Sequence, residues 1–409
     1  MRRIIAQNLT ITIVAKLLSL VSFIYIARVL TKNEYGTFVY VSMLISLLPI
    51  SQLGTMHGAL VLLPKYLATK EKESGDFFQT FNQSSHVLHT LSLLSLFLIE
   101  TSFRTHLILI IFVHLFLSKY SENILLYLNA LHEFKKANIL KLVDQVIRPI
   151  IVITLFIKFN DIESIFIGHL ITSFFLLLLS IYFKRPTLSL IKIEKSSNYL
   201  IETLKVGLPI YIVWVIDLLF RSSDKWFISQ YYAIQHLASY GFVSALAMNI
   251  WLLALSYLGP YSQKLYTFIA KSDFKGAGNL IDDVNKKLYV LVLSISILAI
   301  LFYPIMVNLV IHKYYDTHLT FSLLVIASAL LSINNMYIYY MISNNLSHVL
   351  IKYQTIILII QIILNFYISF NHLDVSYFAY ATILSLGIYS LLVRRFYKHD
   401  ISLKVIGNS

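Results

Sequence analysis

The chain has no cysteine, which excludes a disulfide framework and any thiolate-ligated metal centre. It is also poor in charge. Only 13% of its 409 residues are Asp, Glu, Lys or Arg, about half of what a soluble domain carries. Its apolar runs lack period-two alternation, so a transmembrane barrel is not expected. There is no GxxxxGK[ST] loop, and Gly276-Ala277-Gly278 has no strand context, so use of a nucleotide is not expected either. The opening MRR and apolar run resemble a signal peptide, but no small-residue cleavage site follows. Lys16 interrupts the run, which ends in RVLTKNEYG and reads as a retained span.

What remains is apolar: 58% of the residues, with a mean hydropathy of +0.74. Runs such as Leu9–Leu30 and Leu288–Ile311 are long enough, at about 1.5 Å per residue, to cross roughly 30 Å of hydrocarbon as helices. The pattern predicts an all-α polytopic membrane protein with twelve spans, over 7–29, 35–63, 82–100, 106–130, 139–158, 162–183, 204–227, 238–258, 287–310, 319–342, 352–370 and 375–396. The second span is too long for a straight crossing, and Pro49, Gly54, Gly58 and Pro64 can each bend it or admit a neighbouring backbone. The polar stretch Tyr261–Lys287 is expected to form an amphipathic helix at the membrane surface.

The net charge of +13 does not point to nucleic acid. Most of the 33 Lys and Arg fall in loops on the side of the two termini, which predicts cytoplasmic termini and contact with anionic lipid headgroups.

The chain repeats itself. Tyr35–Gly54, YGTFVYVSMLISLLPISQLG, returns as Tyr240–Gly259, YGFVSALAMNIWLLALSYLG, without gaps. The shared positions include both Tyr-Gly and both Leu-Gly pairs, and the same offset lays Lys16 on Arg221. The polar stretch Lys184–Lys205 separates the copies, which predicts two six-helix lobes, 1–200 and 201–409. With six spans in each, both lobes run the same way through the membrane. The expected symmetry is a pseudo-twofold axis along the membrane normal, with the site between the lobes.

Seven charges lie deep in the spans: Lys16, Lys119, Glu122, Asp144, Arg148, Asp217 and Arg221, while Asp224 and Lys225 are nearer a span end. Each costs from about 2.5 to more than 10 kcal/mol in hydrocarbon unless paired or hydrated. Two readings are open. Lys119 with Glu122, Asp144 with Arg148, and Arg221 with Asp217 or Asp224 are spaced as same-face pairs and can neutralise one another. Alternatively, Lys16, Arg28 and Arg221 hold an anion such as a phosphate or pyrophosphate, Lys16 and Arg221 facing each other across the interior. His86 and His89, closest in sequence among the 13 histidines, are expected to pack rather than to ligate metal.

The segments RVLTKNEYGTF at 28–38, LGTMHGALVLLPKYLA at 53–68 and GLPIYI…D…SSDKWFIS…ASYGFVSAL at 207–246 resemble the O-antigen and polysaccharide flippases of the multidrug/oligosaccharidyl-lipid/polysaccharide exporter superfamily. The resemblance covers both halves. It implies two six-helix lobes, alternating access, and export of an undecaprenyl-diphosphate-linked oligosaccharide repeat unit across a bacterial inner membrane in lipopolysaccharide O-antigen synthesis. The family's cationic lumen maps onto Lys16, Arg28 and Arg221, with Arg148 and Lys225 second, and Asp217 or Glu122 stand as candidates for ion coupling. No cofactor, metal, catalytic residue or nucleic acid is implied. The implied partners are membrane lipids, the lipid-linked oligosaccharide, and the polymerase and chain-length proteins of its pathway. A drug or cation antiporter of the same fold and a membrane polysaccharide polymerase are the alternatives.

Overall fold

The computed structural model describes residues 2–47, 50, 52–69, 71–99, 105–131, 133–183 and 193–407. Among them there is no strand. Fourteen α-helices occur in chain order, beginning with α1 (Arg2–Val29), α2 (Lys32–Leu47), α3 (Thr55–Thr69), α4 (Glu71–Ile99) and α5 (Thr105–Ala130). Then come α6 (Phe134–Leu142), α7 (Arg148–Phe159), α8 (Ile162–Phe183), α9 (Ile193–Tyr231) and α10 (Ile234–Ala270). The last four are α11 (Phe274–Val310), α12 (His318–Ser343), α13 (Ser347–Phe370) and α14 (Ser376–Gly407).

The fourteen helices make up the twelve expected segments because two segments are interrupted. The long second segment breaks between α2 and α3, where Leu53 and Gly54 both take positive φ, 48° and 86°. The fifth segment contains a π-helical turn, Val143–Ile147, between α6 and α7. Pro149 supplies the reason. Its ring would clash with the carbonyl one α-turn back. In the wider turn the Arg148 N–H instead reaches back to the Val143 carbonyl. Among the described residues, eight helices are, by length and composition, apolar enough to cross a membrane.

Short turns with local caps close the helices. Asn160 ends α7 in the left-handed region, and Asp161 Oδ1 then accepts the Ser164 N–H at 2.7 Å to start α8. Asp273 accepts from Gly276 N at 2.8 Å at the start of α11. Asp374 does the same for Ser376 N at 2.8 Å before α14, and hydrogen bonds from Ser376 hold its carboxyl below the usual range. The expected surface helix over Tyr261–Lys287 is not a separate element. Its residues extend α10 and α11 to 37 residues each, joined by the Lys271–Asp273 turn. At about 55 Å such helices outrun the hydrocarbon. Their polar ends remain helical because backbone pairing is internal and the side chains can be hydrated.

The chain divides into two compact units, Met1–Thr31 with Leu44–Ile212, and Lys32–Met43 with Val213–Ser409. The sequence boundary near residue 200 lies within α9. In the first unit, α5 packs on α8, and Phe77, Phe78, Phe81, Tyr120, Ile124 and Tyr199 help fill a core under α3 and α4. In the second unit, α12 is central and packs on α10, α11 and α14. The apolar window of α12 is 67% buried, against 22% for α11 and for α13, so the latter two present their outer faces to lipid.

Glycine permits two close crossings. In the first unit the Gly207 Cα lies against the backbone of Gly54 and Gly58, leaving no room for a side chain. In the second, Gly36 sits against the Ile234 carbonyl and Gly241 against Val39, so the repeated Tyr-Gly pairs bring α2 and α10 together. The repeated Leu-Gly pairs do not act alike. Gly54 sits in a chain break, whereas Gly259 lies in a continuous helix beside open space.

Candidate functional site

In the first unit, Lys16 lies midway along α1, half-buried, and makes no ion pair among the described residues. Arg28 is exposed in the last turn of the same helix. Lys119 on α5 is fully buried, with its side chain 1% exposed. It donates to Gln52 Oε1 at 3.1 Å and to Glu122 Oε2 at 3.3 Å, while Glu122 itself is mostly exposed. Arg148 pairs with Asp144 at 2.5 Å, and Asp144 sits on the π-turn. The expected same-face pairs therefore form in both cases.

The same unit holds a contact that sequence spacing does not reveal. His114 on α5 and His169 on α8 bring their rings to 5.3 Å, and His114 Nδ1 lies 2.7 Å from Ser173 Oγ. Only helix packing unites them. His86 stacks near Tyr120 and Phe116, the packing role expected of it, and His89 is buried. Among the described residues no cluster of His, Asp and Glu has the makings of a metal site.

In the second unit, α9 places Asp217, Arg221, Asp224 and Lys225 over little more than two turns. The choice of partner for Arg221 falls on Asp217, at 2.6 Å, with both side chains about a fifth to a quarter exposed. The guanidinium also lies over the Trp251 ring of α10, 4.8 Å from its centroid, and Arg221 Nε is buried without a partner. Asp224 is taken differently. It accepts the Tyr240 hydroxyl at 2.6 Å and the Lys225 N–H at 2.7 Å. Lys225 Nζ donates back to the Arg221 carbonyl at 3.2 Å. The Tyr of the second repeat copy thus caps a buried carboxylate, whereas its counterpart Tyr35 packs among Phe38, Phe242 and Tyr314.

Two cavities flank α9 within this unit. One is lined by Arg221, Asp224, Ser244, Met248 and Thr382 among others. The other is lined by Asp217, Gln354 and Tyr389 with apolar neighbours. Phe220, Leu331 and Leu386 line both. The buried amides nearby are bonded: Asn365 donates to Ser223 Oγ at 3.2 Å and Gln361 to Thr382 Oγ1 at 3.1 Å. This arrangement can offer a planar, partly neutralised cation backed by an indole face, which suits a phosphate oxygen.

Known proteins provide context. The fold resembles a multidrug resistance transporter of the MATE family, MOP superfamily, in its inward-facing conformation, with 13% identity, 97% of this chain and 96% of that chain covered, and a TM-score of 0.76. An outward-facing conformation of a transporter so described gives a TM-score of 0.64 at 12% identity, over 98% and 95%. A MOP-superfamily transporter from Pyrococcus furiosus, described as having a binding pocket of reversed polarity that suggests a different function, gives 0.66 at 14%, over 98% and 95%. No curated protein sequence matches the chain. The profile of the polysaccharide biosynthesis proteins matches residues 3–266, well over half of the sequence. On that match, and with a fold shared with MOP-superfamily transporters, this multi-pass membrane chain belongs to the polysaccharide biosynthesis protein family.

Proposed function

We propose that the chain is a flippase carrying an undecaprenyl-diphosphate-linked oligosaccharide repeat unit from the cytoplasmic to the outer leaflet of a bacterial inner membrane. Its termini lie in the cytoplasm and its two lobes open to one side at a time. Lys16, Arg28 and Arg221 meet the diphosphate, Arg148 and Lys225 assist, and Asp217 or Glu122 couples the cycle to an ion. One observation carries the reading. A member of a polysaccharide biosynthesis family keeps an arginine inside a membrane helix, stacked on an indole and unpartnered at its buried Nε, where a lipid-facing residue would be costly. Transport rather than chemistry fits a membrane interior that offers cations and amides. A drug or cation antiporter is favoured only by fold likeness at 12–14% identity.

The test is to delete the gene and locate the lipid-linked unit. Accumulation on the cytoplasmic leaflet is expected. Accumulation of single units on the outer leaflet would instead make the chain a polymerase.

A further inference from the structure

Arg221 already has an anionic partner, because Asp217, one helical turn earlier, holds it at 2.6 Å. A phosphate approaching the guanidinium must therefore compete with a carboxylate already in place. The two partners face different spaces. Arg221 lines one cavity, with Asp224, and Asp217 lines the other, with Gln354 of α13 and Tyr389 of α14. The remaining residues lining Asp217's cavity are apolar: Ile216, Phe220, Leu331, Ile357 and Leu386. Tyr389 is 4% exposed. The Tyr389 hydroxyl and the Gln354 amide oxygen are each buried without a hydrogen-bond partner.

A carboxylate in this cavity that loses its guanidinium partner is left as a lone, half-buried charge among apolar neighbours, a costly state that protonation relieves. The protonated form becomes a donor, and Gln354 Oε1 is an acceptor still unclaimed within the cavity. The cavity has room for a water molecule to deliver the proton.

We infer that Asp217 is a resident anion that the substrate's phosphate displaces from Arg221, and that each displacement is matched by uptake of one proton onto Asp217. The proton comes from hydronium on the side to which the cavity is open, and the new O–H bond forms on the carboxylate. When substrate leaves, the proton is released and Asp217 reclaims Arg221. The groups facing the pair are Arg221 itself, the Tyr389 phenol, the Gln354 amide, the Trp251 ring over the guanidinium, and Asp224 on the far side of Arg221. Of these, Asp224 is occupied by Tyr240 and the Lys225 N–H. Asp217 is thus a positioning residue for the phosphate site. The inference rests on the reading of Arg221 as a phosphate ligand.

The purified full chain provides its own reporter. It has three tryptophans. Trp214→Phe and Trp226→Phe leave Trp251, against Arg221, to signal binding of geranyl diphosphate, a short prenyl diphosphate. With Asp217 intact, affinity should tighten as the pH falls from about 8 to about 6, and binding should take up protons beyond those the ligand itself gains. Asp217→Asn should bind about tenfold more tightly at the higher pH and lose the extra uptake. Asp217→Glu should restore both the uptake and the pH dependence, which separates the role from a mere change of fold. Asn and Glu variants indistinguishable from the parent in affinity and proton uptake would overturn the inference alone. Unchanged binding in Arg221→Ala would overturn the phosphate reading as well.

Discussion

At the residue scale, six of the seven deep charges are arranged as same-face pairs, and Lys16 makes no ion pair among the described residues. Lys119 with Glu122, Asp144 with Arg148, and Asp217 with Arg221 all lie within 3.3 Å. These pairs were legible in the sequence because a spacing of three or four fixes two side chains on one helix face wherever the helix goes. Partners on other helices were not legible. Nothing in the spacing of Tyr240 and Asp224, His114 and His169, or Asp217, Gln354 and Tyr389 says that they meet. The Tyr240–Asp224 bond is the most exacting of these, since the carboxylate is only 5% exposed. Tyr240→Phe should cost about 1.5–3 kcal/mol by leaving that charge short of a donor. Thermal unfolding of the detergent-purified variant checks this, and an unchanged melting temperature would show that the bond is dispensable.

At the scale of elements, hydropathy foretold the twelve segments, and the α8 limits match the expected 162–183. The other ends mostly run past the apolar core. Hydropathy marks where lipid stops, whereas helix ends are set by caps such as Asp273 and Asp374. The break after α2 was foreshadowed by Gly54, while Pro49 lies outside the described residues. The π-turn at Val143–Ile147 was not, although Pro149 follows it closely. The two repeat glycines allow a controlled comparison. Gly54→Ala should lower stability by about 1–3 kcal/mol, because it places a side chain at positive φ against the Gly207 backbone. Gly259→Ala, inside α10 with open space around it, should be neutral or stabilise by up to about 1 kcal/mol. Equal effects at the two sites would mean that the crossing at Gly207 carries no constraint.

The start of α14 should respond to acid. Asp374 is held below the ordinary carboxyl range by Ser376, so its contribution is present above the unfolded-state value and lost as the pH falls through the folded one. Protection of the amides at 374–378, taken relative to their intrinsic exchange rate at each pH, should therefore fall on acidification in the parent chain. In Asp374→Ala that protection should be low at every pH. A parent whose protection does not respond to acid would contradict this.

At the scale of the whole molecule, the family and the all-helical membrane fold were readable from composition, from the repeat and from three stretches of sequence. The substrate was not, because the side chains that recognise a ligand are gathered from many helices. The proposed role makes Lys16 and Arg221 necessary for transport and unnecessary for insertion into the membrane. Lys16 has no ion-pair partner among the described residues, so Lys16→Ala removes a cation without stranding an acid. The most direct measurement is translocation by the purified chain in proteoliposomes. A labelled undecaprenyl-diphosphate oligosaccharide is placed in one leaflet, and its arrival in the other is read by accessibility to a lectin or hydrolase. The parent chain should move the lipid, while Lys16→Ala and Arg221→Ala, inserted to the same level, should not. A parent that leaves the lipid where it was placed, or an Arg221→Ala variant that moves it at the full rate, would contradict the account.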